Sequence, residues 1–217
     1  MTAESAGGSD RGSHRGAAAP DAAGSHAGAP SPWNVPNALT LLRIALVPVF
    51  GALLLAQGGS DTAMRWWALA VFVVAMATDR LDGEIARARN LVTDFGKMAD
   101  PIADKSLTGM AFIGLSLIGE LWWWVTAVVI VREVGITLLR VVVIRYGVMP
   151  ASRGGKLKTT LQALALSLMI APLGVPWSWI AVAVMAAAVG VTVVTGLDYL
   201  LKARRLVAAS PGRGKAR

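Results

Sequence analysis

The residues with the clearest capacity for chemistry are four aspartates, which occur as two pairs in an apolar part of the chain. Asp79 and Asp82 are three residues apart, and Asp100 and Asp104 are four residues apart. On a helix, these spacings put the two side chains of a pair on one face. Two antiparallel helices would bring the pairs together. Converging carboxylates repel one another unless cations neutralise them, so the pattern predicts a site for hard divalent ions with oxygen ligands.

A salt-bridged loop is the structural alternative, because basic residues are interspersed with these acids. They are Arg80, Arg87, Arg89, Lys97 and Lys105. Asp94 lies off the two predicted faces, and we expect it to be an exposed or helix-capping acid. Charges within apolar spans are costly unless they are paired or functional, so both interpretations require partners for the acids.

The composition predicts that membrane helices hold these acids. Apolar residues make up 55% of the chain and charged residues 16%, whereas soluble domains have about 45–50% and about 25%. The chain has no cysteine, which excludes disulfides, zinc-thiolate sites and thiol catalysis. Six apolar stretches approach the roughly 20 residues that a membrane helix needs: 38–57, 66–83, 101–119, 121–145, 157–174 and 177–201. We therefore predict an all-α integral membrane protein with six transmembrane helices.

Two tails are predicted to flank the membrane domain, which spans residues 33–205. Residues 1–32 are rich in Gly, Ala, Ser and Pro, a composition typical of disorder. Residues 206–217 form a basic C-terminal tail. The net charge of +8 suits nucleic acid or an anionic membrane, but no soluble basic domain remains, so we exclude nucleic acid as a partner.

The charge distribution predicts how the chain is oriented in the cell membrane. Most flanking Lys and Arg fall on the side that holds both termini, whereas the opposite side has only Arg65. The positive-inside rule therefore puts both termini and the acids on the cytoplasmic side of a multi-pass protein. Tryptophans at the opposite ends of the spans form a predicted aromatic belt: Trp66, Trp67, Trp122, Trp123, Trp124, Trp177 and Trp179.

The acids also belong to one ordered string, Asp79-x2-Asp82-Gly83-x2-Ala86-Arg87-x8-Gly96-x3-Asp100-x3-Asp104. It resembles the complete signature of the CDP-alcohol phosphatidyltransferases, with all eight fixed positions at the family's spacing. The resemblance extends over about residues 33–205. It implies a membrane enzyme that uses an alcohol hydroxyl to displace CMP from a CDP-linked lipid. It also implies a homodimer.

The resemblance implies roles for the aspartates. Asp79, Asp82 and Asp100 would hold one or two divalent ions, with Asp104 sharing a metal. Mg²⁺ is the expected ion and Mn²⁺ the other candidate. Asp104 would also be the general base, which must lie within hydrogen-bond reach of the attacking hydroxyl. The sequence alone leaves open which aspartate takes the proton.

The resemblance further implies that Gly83 and Arg87 bind the CDP moiety, with Asp82 near the nucleotide. Gly83 leaves room for a ligand beside Asp82. Arg87 lies about one helical turn further on, where its guanidinium could meet a phosphate. The donor would be CDP-diacylglycerol, whose acyl chains would remain among the membrane lipids.

Three further stretches, 34–43, 132–140 and 151–162, resemble bacterial phosphatidylglycerophosphate synthases. They favour sn-glycerol 3-phosphate as the acceptor, which would give phosphatidylglycerol phosphate and CMP in phospholipid biosynthesis. A cluster of basic side chains would bind such an acceptor's phosphate through charge-assisted hydrogen bonds. The candidates are Arg132, Arg140, Arg153, Lys156 and Lys158.

Structural alternatives exist for these basic residues. Those that open the fifth span would form a positive-inside flank, and those in the fourth would pair with Glu133. Arg43 would either join the acceptor site or snorkel from the first span. Asp198 is predicted to pair with a nearby cation.

Rival functions also remain at this point. A phosphatidylinositol phosphate synthase and a cardiolipin synthase of the same fold would share the aspartates but use another acceptor. A cation transporter would also gather aspartates within the membrane. Transporters, however, typically have them near the midplane, in broken helices and repeated halves, and no repeat is visible here.

Overall fold

The structure is a computed structural model that describes residues 35–88, 94–143 and 153–208. The predicted tail over 1–32 lies outside these residues, as does most of the predicted tail over 206–217. Six α-helices account for most of the described chain: α1 Val35–Leu55, α2 Thr62–Ala88, α3 Asp94–Leu117, α4 Trp123–Val143, α5 Arg153–Ile170 and α6 Trp177–Ala208. The described residues contain no β-strand, which confirms the all-α prediction.

The third helix begins earlier than the sequence pattern indicated. α3 starts at Asp94, whereas the predicted apolar span starts at residue 101. Pro101 therefore lies in the helix interior rather than in its first turn, although a proline there removes one backbone hydrogen bond. Because Asp100 and Asp104 lie on one continuous helix, their four-residue spacing puts them on the same face.

α1 supplies most of the packing surface for both α2 and α3, which contact each other at few positions. The aromatic rings of Phe50 in α1 and Phe72 in α2 are both buried, with centroids 5.6 Å apart. On the α3 side the backbones approach closely, since a Cβ at Gly114 would lie 2.7 Å from Leu54 Cδ2. Small residues commonly permit such approaches between membrane helices. Among the described residues, α1 thus packs against both α2 and α3, which also contact each other directly.

A buried arginine joins three elements at one end of the bundle. Arg65, near the start of α2, is 7% exposed. Its guanidinium forms a two-armed ion pair with Glu120, between α3 and α4. Its Nε also donates to the carbonyl of Ile170 at 3.0 Å and its Nη2 to that of Met169 at 2.5 Å, at the end of α5. This end therefore contains the α1–α2, α3–α4 and α5–α6 connections.

The predicted belt tryptophans all lie at this end, which we call the tryptophan end because it contains Trp66, Trp67, Trp122, Trp123, Trp124, Trp177 and Trp179. All of them are exposed. All six helices also expose large apolar side chains, including Val49, Val73, Leu117, Leu138 and Leu164. Exposed apolar surface of this extent indicates a membrane or another apolar environment.

Two helical stretches of the described chain are long and apolar enough to cross a membrane by composition alone. They are Asn37–Gly59, with mean hydropathy 2.2, and Trp177–Leu206, with mean hydropathy 2.3. α5 contains a shorter apolar stretch, Leu157–Ile170. α2, α3 and α4 bear the charged residues of the predicted site, which lowers their hydropathy.

Replacing Arg65 with leucine is expected to destabilise the fold by about 2–3 kcal/mol, because buried carbonyl acceptors would lose their donor. The unfolding temperature of the detergent-solubilised protein should fall clearly. The matched control is Arg204→Leu, which removes an exposed arginine of α6. Equal unfolding temperatures for the two variants would contradict a structural role for the Arg65 contacts.

Candidate active site

Asp79 is held by a buried arginine of the neighbouring helix. Arg43 in α1 is 1% exposed, and its Nη1 lies 2.5 Å from Asp79 Oδ1 in α2. The side chain of Asp79 retains 34% exposure. Arg43 is therefore not a snorkelling side chain, and that alternative is wrong. Its ion pair instead fixes one carboxylate oxygen of the predicted metal set.

Asp104 lies in a cavity of about 460 Å³ between the helices. Residues of α1 to α5 line this cavity, with charged side chains from α3, α4 and α5 and apolar ones such as Val47 and Met76. Because a helix rises about 1.5 Å per residue, Asp104 lies about 20 Å along α3 from the tryptophan end. The cavity therefore combines an acidic centre with apolar walls.

The Asp104 carboxylate is open to a ligand. Within residues 35–88, 94–143 and 153–208, no side chain or backbone group donates a hydrogen bond to it. It lies within electrostatic range of Asp79 and Glu133, and also of Arg43 and Lys158. Two acids and two cations thus surround a carboxylate whose own oxygens are available.

Glu133 in α4 organises the basic residues predicted for the acceptor site. Lys158 of α5, which is 3% exposed and lines the cavity, donates to Glu133 Oε1. Arg132 Nη1 lies 2.9 Å from the same oxygen, and its Nη2 donates to Thr195 Oγ1 of α6 at 3.0 Å. The ion pair with Glu133, which was the structural alternative to a phosphate-binding role for Arg132, is therefore observed. The guanidinium of Arg132 is thereby directed toward α6, whereas the ammonium of Lys158 is at the cavity.

One polar contact beside the cavity, on the exposed side of Lys105, was missed in the sequence analysis. Lys105 of α3 lines the cavity, and its Nζ donates to Thr137 Oγ1 of α4. Lys105 directly follows Asp104, and Thr137 lies one turn beyond Glu133 on the same helix. The sequence offered one signal that Thr137 lies near the site. Its four-residue spacing from Glu133 puts both residues on one face of α4.

For other predicted site residues, only the backbone is described. Asp82, Gly83 and Arg87 lie in the last turns of α2, and Asp100 lies one turn before Asp104 in α3. The side chains of these residues fall outside the described part of the chain. The same applies to Arg140 in α4 and to Arg153 and Lys156 in α5.

The described side chains fit a hard divalent ion in their donor chemistry. Asp79 and Asp104 supply carboxylate oxygens in the same region, and the chain has no competing thiol. No three acidic or histidine side chains cluster within the described set, from which the side chains of Asp82 and Asp100 are missing. The two remaining donors of the predicted set thus belong to helix segments next to Asp79 and Asp104.

The prediction for Asp198 is confirmed. Lys202 Nζ lies 2.6 Å from Asp198 Oδ2 on the exposed surface of α6, one helical turn away. Both side chains are about half exposed, so the pair contributes little to stability. Asp198 and Lys202 are therefore suitable positions for control substitutions outside the cavity.

Comparison with known proteins adds independent information. Residues 33–194 match the family model described as CDP-alcohol phosphatidyltransferase. A protein of Mycobacterium tuberculosis (strain H37Rv) named "Probable phosphatidylglycerophosphate synthase" is 53% identical over 172 residues, covering 79% of this chain and 82% of that protein. A Bacillus subtilis (strain 168) protein named "CDP-diacylglycerol--glycerol-3-phosphate 3-phosphatidyltransferase" is 38% identical over 186 residues, covering 78% of this chain and 95% of its own. A Rickettsia typhi protein of the same name is 43% identical over 139 residues, covering 63% of this chain and 76% of its own.

Proposed function

The chain belongs to the CDP-alcohol phosphatidyltransferase family, and from that premise we propose that it transfers a phosphatidyl group from CDP-diacylglycerol to sn-glycerol 3-phosphate. The products are phosphatidylglycerol phosphate and CMP. The names of the relatives from Mycobacterium tuberculosis and Bacillus subtilis support this choice of acceptor. The chain is accordingly a transferase of phospholipid biosynthesis.

The observation that carries the proposal is the open carboxylate of Asp104 in a cavity that also contains a buried cation. Asp104 and Lys158 both line the cavity. Phosphatidyl transfer to a phosphorylated alcohol needs a base for the hydroxyl and a cation for the phosphate. The cavity thus offers both groups in the same space.

In the proposed reaction, the acceptor hydroxyl oxygen attacks the phosphorus that bears the diacylglycerol. Asp104 accepts the hydroxyl proton as the new phosphorus–oxygen bond forms. The pyrophosphate bond breaks at the same phosphorus, and CMP leaves with the bridging oxygen. The apolar part of the cavity wall would reduce the access of bulk water, which would otherwise compete as the acceptor.

Members of this family generally use a divalent metal. Asp79, Asp82, Asp100 and Asp104 would hold it here, and we propose Mg²⁺, with Mn²⁺ as the other candidate. The ion supplies charge stabilisation for the pyrophosphate and the departing CMP. Arg43 supports this role by holding one oxygen of Asp79, which limits the orientations of that carboxylate.

The remaining site residues divide between the two substrates. Gly83 and Arg87, with Asp82, would bind the CDP moiety near the end of α2. The acceptor phosphate would be bound by Lys158, which is already at the cavity. Arg132, Arg140, Arg153 and Lys156 complete the proposed basic cluster. Among these, Arg132 would act from a distance, because its guanidinium contacts Glu133 and Thr195.

All six helices would span the cell membrane, with both termini in the cytoplasm. Exposed apolar residues on each helix and the grouping of tryptophans at one end support this arrangement. The acyl chains of the donor would remain in the bilayer while the polar acceptor enters from the cytoplasm. The protein would act as a homodimer, in keeping with its family.

The test is CMP release from CDP-diacylglycerol by the purified protein with Mg²⁺. Glycerol 3-phosphate, inositol phosphate, inositol, serine and phosphatidylglycerol are supplied separately as acceptors. Turnover with glycerol 3-phosphate only is expected. Turnover with inositol phosphate or phosphatidylglycerol instead would replace the acceptor but keep the family chemistry. No CMP release with any acceptor from folded protein would contradict the proposed function.

A further inference from the structure

Most cations near the cavity already pair with a carboxylate. Lys158 and Arg132 both contact Glu133. Arg43 pairs with Asp79. An incoming phosphate would have to compete with Glu133 for Lys158, and each of these pairs reduces the positive charge offered to a ligand.

Lys105 differs from these cations. It is half-buried on α3 and lines the cavity. Its ammonium donates to a neutral hydroxyl, that of Thr137. In the described ranges, from 35 to 208 with their two gaps, no carboxylate forms an ion pair with Lys105. Its positive charge therefore has no carboxylate partner among the described residues, and its side chain forms part of the cavity wall.

The contact with Thr137 leaves most donors of this ammonium unused. The Thr137 hydroxyl donates its own hydrogen to the Glu133 carbonyl oxygen at 2.7 Å. A lone pair of that hydroxyl therefore faces Lys105 and accepts one of the ammonium's N–H groups. An ammonium has three such groups, so two remain for other acceptors. Thr137 thus orients the ammonium without neutralising it.

The acidic groups around the cavity make a cation without a carboxylate partner favourable for phosphate binding. Asp79 and Glu133 lie within electrostatic range of Asp104, so three acidic groups occupy the region in which both proposed substrates would place phosphate groups. The proposed divalent ion would offset part of this acidic charge, and a cation without a carboxylate partner would further favour a bound phosphate. Lys105 is adjacent to Asp104 in sequence, so a phosphate that it bound would be near the base.

We propose that Lys105 binds a phosphate oxygen of a substrate in the cavity and that Thr137 is the residue that positions its ammonium. The proposal rests on the proposed function in its choice of substrates. The phosphate belongs either to the acceptor or to the pyrophosphate of CDP-diacylglycerol. Separate Michaelis constants for the two substrates distinguish these sources.

The experiment measures kcat and both KM values for the full-length protein and its Lys105→Met variant. Loss of a charge-assisted hydrogen bond should raise one KM by at least about tenfold. Lys105→Arg should recover part of the loss, because it retains the charge. Thr137→Val should raise the same KM by a smaller factor with kcat little changed, and Thr137→Ser should restore it.

Lys202→Met is the matched control, because it removes an exposed lysine on α6 that is paired with Asp198 outside the cavity. It should leave both KM values unchanged. A raised KM for glycerol 3-phosphate in Lys105→Met identifies the acceptor phosphate, and a raised KM for CDP-diacylglycerol identifies the pyrophosphate. Unchanged KM values, or the same change in Lys202→Met, would overturn the proposal. If Lys105→Met does not fold, Lys105→Gln and Thr137→Val provide the same comparison.

If the wild-type protein releases no CMP with glycerol 3-phosphate, the proposed function itself has failed. Calorimetric titration with CDP-diacylglycerol would then decide the role of Lys105. Weaker binding to Lys105→Met than to Lys202→Met would support a phosphate contact. The same titration with glycerol 3-phosphate covers the acceptor phosphate, and equal binding of both ligands to the two variants would overturn the proposal.

Discussion

Replacing Asp104 with asparagine is expected to lower the rate of CMP release by about a thousandfold, within the range attributed to general-base catalysis. The substitution conserves size but removes the group that accepts the hydroxyl proton. The carboxylate makes no protein hydrogen bond in the described ranges, so the fold should lose little. The measurement is kcat at saturating concentrations of both substrates, together with the unfolding temperature.

Asp198→Asn provides the matched control for Asp104→Asn. It makes the same chemical change at an exposed position of α6 that is ion-paired with Lys202. The control should retain wild-type kcat. A folded Asp104→Asn variant with more than about a tenth of wild-type kcat would contradict the assignment of Asp104 as the base, since general bases contribute at least about a hundredfold.

Removal of divalent metal is expected to abolish turnover. Metal ions contribute several kcal/mol to the stabilisation of developing charge, which corresponds to about a thousandfold or more in rate. Activity should fall to background after exhaustive treatment with EDTA and return on addition of Mg²⁺. Full activity in metal-free protein would contradict the proposed role of the aspartates.

The Asp79→Asn variant tests whether Asp79 contributes to metal binding. The variant removes the negative charge that Arg43 holds in position, so more Mg²⁺ should be needed for half-maximal activity. Asp198→Asn should leave the Mg²⁺ requirement unchanged. An unaltered Mg²⁺ requirement in Asp79→Asn would argue that Asp79 has only a structural role.

Helix content and the positions of the helices could largely be predicted from the sequence, because each apolar run is bounded by polar or Gly/Pro residues. The start of α3 could not, since Asp94, Lys97 and Asp100 lower the hydropathy of its first turns. A run of high hydropathy marks helix residues that contact lipid or a protein core. It therefore underestimates a helix whose first turns carry functional charges.

Site residues could be proposed from the sequence where the signal is local spacing. Asp104 was proposed as the base through its family signature, and the Arg132–Glu133 pair was the structural alternative for Arg132. The Lys158–Glu133 and Arg43–Asp79 pairs join residues 25 and 36 positions apart, so they depend on how the helices pack. The Arg65 contacts with the end of α5 span more than a hundred residues and are likewise invisible to local patterns.

The most direct test of the central claim is the identity of the lipid product. The purified protein is incubated with CDP-diacylglycerol, Mg²⁺ and ¹³C-labelled glycerol 3-phosphate, and lipids and CMP are quantified by mass spectrometry. We predict labelled phosphatidylglycerol phosphate in equimolar amount with CMP, and formation of both products about a thousandfold slower with Asp104→Asn. CMP release accompanied by phosphatidic acid and no labelled lipid would contradict the account, because water rather than the alcohol would then be the acceptor.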